Sequence, residues 1–146
     1  MTRINCVPVE CLTDKHLRGE YKEITRPFNK VIERIEKYGV HDALHGCSIG
    51  ARYTLNAGHE TFFFNKLLWV HTRYNILYHE LCRRGYKIDH AKQSKISFYF
   101  WDILCGVKLC WNNWQPTPED MYLNMARLAR NSKLKNVLTE LERENE

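Results

Sequence analysis

The chain has 146 residues, 44% of them hydrophobic and 12% aromatic, which is enough apolar material for one folded domain and too much for a disordered one. No apolar run approaches the ~20 residues that cross a bilayer, and the N-terminus lacks the apolar core of a secretion signal, so a cytoplasmic protein is expected. The formal charge is +5, yet residues 140–146 (ELERENE) hold four acids and one arginine, leaving 21 basic against 13 acidic residues over positions 1–139. A basic body with an acidic end suits a polyanionic partner.

The chain opens with MTRIN. Thr2 is small enough to permit removal of Met1, which would leave a free α-amine on Thr2. Such an amine has a reference pKa of about 7.7–8 against about 10.4 for lysine, so near pH 7 a useful fraction is neutral and nucleophilic. Leu17, Tyr21, Ile24, Phe28, Val31 and Ile35 then recur at spacings of four and three, the pattern of an amphipathic helix. Thr13 or Asp14 can cap its start. His16, Glu20 and Glu23 fall on another face at the same spacings, with Arg18, Lys22 and Arg26 alongside. A carboxylate among cations suits the stabilisation of positive charge that develops in a transition state. The same residues also describe an ordinary solvated helix face laced with ion pairs.

Pro27 predicts a kink, with helix continuing to about Tyr38 and stopping at Gly39. Residues 39–60, with four glycines and no sustained period, predict a long connection that wraps over the body. His59 in it is either a structural cap or a substrate contact, the cap being the commoner role. From Thr61 to Arg84 the spacing of Phe63, Leu67, Val70, Tyr74, Leu77 and Leu81 predicts a central helix of about 36 Å, ended by Gly85 with Arg83 and Arg84 in its last turn. Residues 94–114 carry Phe98, Tyr99, Phe100, Trp101, Trp111 and Trp114 in mixed period. Strand, short helix and packed loop all fit, as a core flap or as an exposed platform for bases. Thr117, Pro118, Glu119 and Asp120 make a strong helix start. The apolar stripe then runs from Met121 to Leu141, with a break near Asn131 and Ser132.

These patterns predict an all-α fold of about three main helices with long connecting loops, in a single compact domain over residues 1–146. The six cysteines (6, 11, 47, 82, 105 and 110) include no C-x-x-C pair and are expected to be reduced and mostly buried. His41 and His45 are a possible ligand pair, but no second pair stands nearby, so no metal is expected.

The MTRIN terminus, followed by V-x-x-L-x-D-x-H-L-x-x-E-Y-x-E and Arg26, resembles the pyrimidine-dimer DNA glycosylases. The resemblance resumes at Leu55-Asn56-Ala57-Gly58-His59, Thr61 to Lys66 and Arg83-Arg84-Gly85-Tyr86, and returns faintly at Pro116 to Asp120. It implies a DNA repair enzyme with N-glycosylase and abasic-site lyase activities, acting on cyclobutane pyrimidine dimers in double-stranded DNA. By that resemblance Thr2 supplies the attacking amine, Glu23 is the catalytic carboxylate, and Arg3, Lys22 and Arg26 hold phosphates, with His16 on the same helix face. No cofactor is implied, because the imine itself takes up the electrons, and a monomer is expected. The Thr2 hydroxyl has no part in attack, so Thr2→Ala is expected to keep much of the activity. The chain departs from the family pattern at Lys22, where the pattern has arginine, and in lacking its aromatic C-terminal segment. Alternative readings are the same chemistry on abasic sites or another damaged base, and a DNA-binding protein without catalysis.

Overall fold

Thr13 begins the first helix: its hydroxyl accepts from His16 N at 3.2 Å, and helix α1 runs Asp14–Glu23. The computed structural model describes residues 2–130 and 143–144. Helix α2 follows as Arg26–Asp42, with the proline at its start, so the expected kink is a break between two helices. Gly39 leaves helical geometry at φ 81°, a conformation open to glycine without strain, so the stop expected there is a kink, after which helix resumes to Asp42. The apolar stripe is the buried one: Leu17, Ile24, Phe28 and Val31 are wholly enclosed.

The long helix expected over residues 61–84 is interrupted. A single turn, α3 (His59–Phe62), passes into a 3-10 turn at Phe63–Asn65, and α4 (Leu67–Arg83) starts anew after Lys66. Consecutive helical residues point about 100° apart, so burying Phe62, Phe63 and Phe64 together requires packing on nearly every side. The restarted helix finds partners for its free N-terminal donors in a distant loop: Leu67 N donates to Cys110 O at 2.9 Å and Trp69 N to Asn112 O at 3.3 Å. The spacing of four from Phe63 to Leu67 survives the interruption, which hides it from a periodicity reading. At the far end Tyr86 N donates to Leu81 O and Gly85 takes φ 88°, the glycine stop that was expected.

Residues 94–114 are mostly helix. Helix α5 (His90–Leu104) is capped by Asp89, whose carboxylate accepts from Lys92 N at 3.0 Å. Its inner face buries Phe100 and Leu104, while Phe98, Tyr99, Trp101 and Ile103 are exposed. Apolar residues on both faces blur the 3.6-residue period. Phe28 of α2 stacks on Phe100 with ring centroids 4.5 Å apart. Helix α6 (Pro118–Ala129) starts as its sequence predicts, with Thr117 and Asp120 forming a reciprocal capping box. The stripe beyond it through Leu134, Leu138 and Leu141, the break near Asn131, and most of the acidic end lie outside the described residues.

The all-α expectation holds. Among the described residues the three expected segments become five longer helices, because the first divides at Thr25 and α5 lies between the other two. One hydrophobic cluster joins the N-terminal residues to α1, α2, α4, α5 and α6. Among the described residues no helix is long and apolar enough to cross a membrane. Only Cys6 and Cys110 of the six free cysteines are buried, which corrects the expectation for most of them. Cys47, Cys82 and Cys105 are half-buried, Cys47 against the core, and Cys11 is exposed. His41 and His45 are exposed, and no metal-holding group of His, Cys, Asp or Glu occurs among the described residues.

Candidate active site at the N-terminal segment

Residues 2–7 form neither helix nor strand, and all but Arg3 are buried. Buried backbone without helical or strand partners needs others, and side chains supply them. Ile4 N donates to His59 Nε2 at 2.9 Å, while Ile4 O accepts from the Tyr53 hydroxyl at 2.9 Å. Cys6 N and Val7 N both donate to Asn124 Oδ1, at 2.8 and 3.2 Å. Val7 O accepts from Arg73 Nη1 at 2.6 Å. Chain ends are ordinarily the least ordered part of a domain. Here residues 4–7 are pinned by four side chains.

His59 is therefore structural. Its Nδ1 bonds Thr54 O at 2.6 Å and its Nε2 accepts from Ile4 N, which requires the tautomer protonated on Nδ1. Burial pushes its pKa down to about 4, partly offset by the Thr54 carbonyl. Rings of Tyr53 and Phe63 enclose it edge-on at 5.4 and 5.5 Å.

Toward the terminus the segment emerges beside α1. Arg3 N donates to Glu23 Oε2 at 3.0 Å, and Arg26 Nη1 lies 3.9 Å from Glu23 Oε1. Thr2 is buried; its hydroxyl donates to Glu60 and accepts from Arg26 Nη1 at 3.4 Å. Glu60 in turn pairs with Lys30 at 2.5 Å. Thr2, Arg3, Glu23 and Arg26 are thus brought together by direct contact.

Glu23, Arg3 and His16 also line a cavity of about 670 Å³, with Asn5, Lys15, Glu20 and Arg127. Three cations and a histidine surround it, and one of its two carboxylates, Glu20, is already satisfied. Arg73 forks onto Glu20 at 2.8 and 3.1 Å, and Asn5 Nδ2 donates to it at 2.8 Å. Burial lowers the His16 pKa, helped by Lys15, Arg3 and Arg127, which favours the neutral ring. Its Nδ1 is buried without a hydrogen-bond partner among the described residues. Lys22 is exposed, and neither it nor the exposed rings of α5 line the cavity.

Sequence patterns missed Arg127, Lys15, Glu60 and Asn124. Arg127 Nη2 donates to Asn5 Oδ1 at 2.9 Å across more than a hundred residues of chain, and no local spacing signals such a contact. Lys15 sat in plain view on α1 but off the face that attracted attention.

Residues 1–94 match the family described as pyrimidine dimer DNA glycosylase, and the chain belongs to that family. Membership implies glycosylase activity toward pyrimidine dimers, and with it the binding of damaged DNA. The matched part contains the whole terminal segment, α1 and the 53–66 region. Helix α6, with Arg127 and Asn124, lies beyond it.

Proposed function

We propose that the protein, as a monomer, excises ultraviolet-induced cyclobutane pyrimidine dimers from double-stranded DNA and then cleaves the strand, using the Thr2 α-amine as nucleophile. With Met1 removed, the nitrogen lone pair of Thr2 bonds to C1′ of the damaged nucleotide's sugar while the C1′–base bond breaks, its electrons leaving with the base. Opening of the sugar gives an imine. Loss of a C2′ proton into that electron sink then expels the 3′ phosphate by β-elimination. Glu23 stabilises the cationic sugar and iminium and assists proton removal. Arg3, Lys22 and Arg26 hold backbone phosphates, His16 faces the lesion, and the cavity beside Glu23 offers room for a nucleotide turned out of the stack.

The observation that carries this reading is the Arg3 N to Glu23 bond at 3.0 Å. It puts the Glu23 carboxylate one residue, about 3.8 Å between α-carbons, from the Thr2 nitrogen. Neighbouring Arg26 leaves that carboxylate exposed enough to meet a ligand, with 22% of the Glu23 side chain accessible. Incubation with irradiated duplex plus borohydride tests it. A covalent adduct and strand breaks at dimers are expected. Trapping confined to abasic or other lesions would move the substrate, and binding without any adduct would leave a DNA-binding protein only.

A further inference from the structure

The side chain of Thr2 is held as firmly as the backbone behind it. Its hydroxyl donates to Glu60 and accepts from Arg26, and the carboxylate is held from its other oxygen by Lys30. A terminal threonine would otherwise exchange among three staggered rotamers. On the carbonyl side, Arg3 N is bound to Glu23 and Ile4 N to His59. Two substituents of the Thr2 α-carbon, the carbonyl carbon and the β-carbon, are therefore anchored to separate parts of the fold. Tetrahedral geometry then fixes the direction of the third, the α-nitrogen. Glu60 reaches Thr2 from α3, across 58 residues of chain, and does not line the cavity. Its contact with Thr2 is with the hydroxyl.

We propose that Glu60, oriented by Lys30, is a positioning residue that clamps the Thr2 hydroxyl and so aims the α-amine. This rests on the reading of that amine as the nucleophile. The hydroxyl, without a part in bond making, acquires one in geometry, so Thr2→Ala should cost more than the sequence alone led us to expect. Misplacing a reacting group by about 1 Å can cost about 10²-fold. With the Glu23 and His59 anchors still in place, releasing one side should cost about tenfold.

The test is a double-mutant cycle read by the single-turnover rate of borohydride trapping on a dimer-containing duplex. Thr2→Ala and Glu60→Ala should each slow trapping about tenfold, and the double variant should be no slower than either, because all three break one contact. Thr2→Ser should recover most of the rate, and affinity for the irradiated duplex should stay within about twofold throughout. Trapping by Glu60→Ala at the parent rate, or penalties that multiply in the double variant, would overturn the assignment. Should Glu60→Ala fail to fold, Lys30→Ala serves, since Lys30 is largely exposed. It should slow trapping in the parent and not in the Thr2→Ala background, and an equal loss in both refutes the clamp. A parent protein that forms no adduct at Thr2 defeats the nucleophile reading and this one with it. A parent adduct with rates indifferent to Glu60 defeats only this one.

Discussion

Glu20 and Glu23 leave α1 one turn apart and meet the same terminal segment in opposite settings. Glu20 is 2% exposed, forked by Arg73 and bonded to Asn5. Three donors hold its two oxygens, from residues that hold positions 5–7 in place. Glu23 keeps a single backbone donor, Arg3 N, with Arg26 at 3.9 Å, and opens on the cavity. Identical chemistry on one helix face is divided by depth. The inner carboxylate makes the terminal segment rigid, and the outer one keeps lone pairs for a ligand.

The sharpest way to break this comparison is to remove each carboxylate. Glu20→Ala leaves the Arg73 guanidinium buried and unpaired, and should cost about 3–5 kcal/mol in denaturant unfolding. A loss under about 1 kcal/mol would mean that the pair contributes little to holding the segment. Glu23→Gln should fold normally, within about 0.5 kcal/mol of the parent, yet lower single-turnover strand cleavage by about 10²–10³-fold while still binding the lesion. Cleavage at the parent rate would strip Glu23 of its role.

Acid should loosen the terminal segment at Ile4, through His59. His59 titrates near 4 when folded against its usual 6.5, so between those values the unfolded chain binds the proton and the folded one does not. Its contribution is complete above about pH 6.5 and is lost as pH falls toward 4, a change on the order of 3 kcal/mol. A proton on Nε2 would confront the Ile4 N–H that this nitrogen accepts. His59→Gln should therefore flatten the stability profile over that interval, and an unaltered profile would show that another group governs it.

The smallest effect expected is at Lys22, which is exposed and off the cavity. Lys22→Ala should lower the slope of log affinity against log salt by about one, with little change in cleavage at saturating DNA. A Glu23-sized loss of cleavage from Lys22→Ala would place it nearer the chemistry than the comparison allows.

What could be read from the sequence was what is decided locally. The Thr13 cap, the stop at Gly85 and the helix start at Thr117 each depend on a few neighbouring residues, and the structure shows them; at Gly39 the expected stop is a kink, with helix resuming to Asp42. Chain breaks decided by tertiary contact were not legible: the restart of α4 depends on carbonyls of Cys110 and Asn112. Helix α5 was obscured because exposed Phe98, Tyr99 and Trp101 share its length with buried Phe100 and Leu104. At the site, spacing along α1 identified His16, Glu20 and Glu23 as one face but could not tell the architectural carboxylate from the open one. That distinction is made by Arg73 and Asn5. Glu60 and Arg127 enter through folding alone.

The central claim is that the terminal segment is built rigid in order to present one main-chain amine beside Glu23. The most direct measurement is mass spectrometry of the borohydride-trapped, protease-digested adduct with dimer-containing DNA. The account predicts the sugar remnant on the Thr2 α-nitrogen of a chain lacking Met1. A remnant on Lys15, Lys22, Lys30 or any other lysine would contradict it.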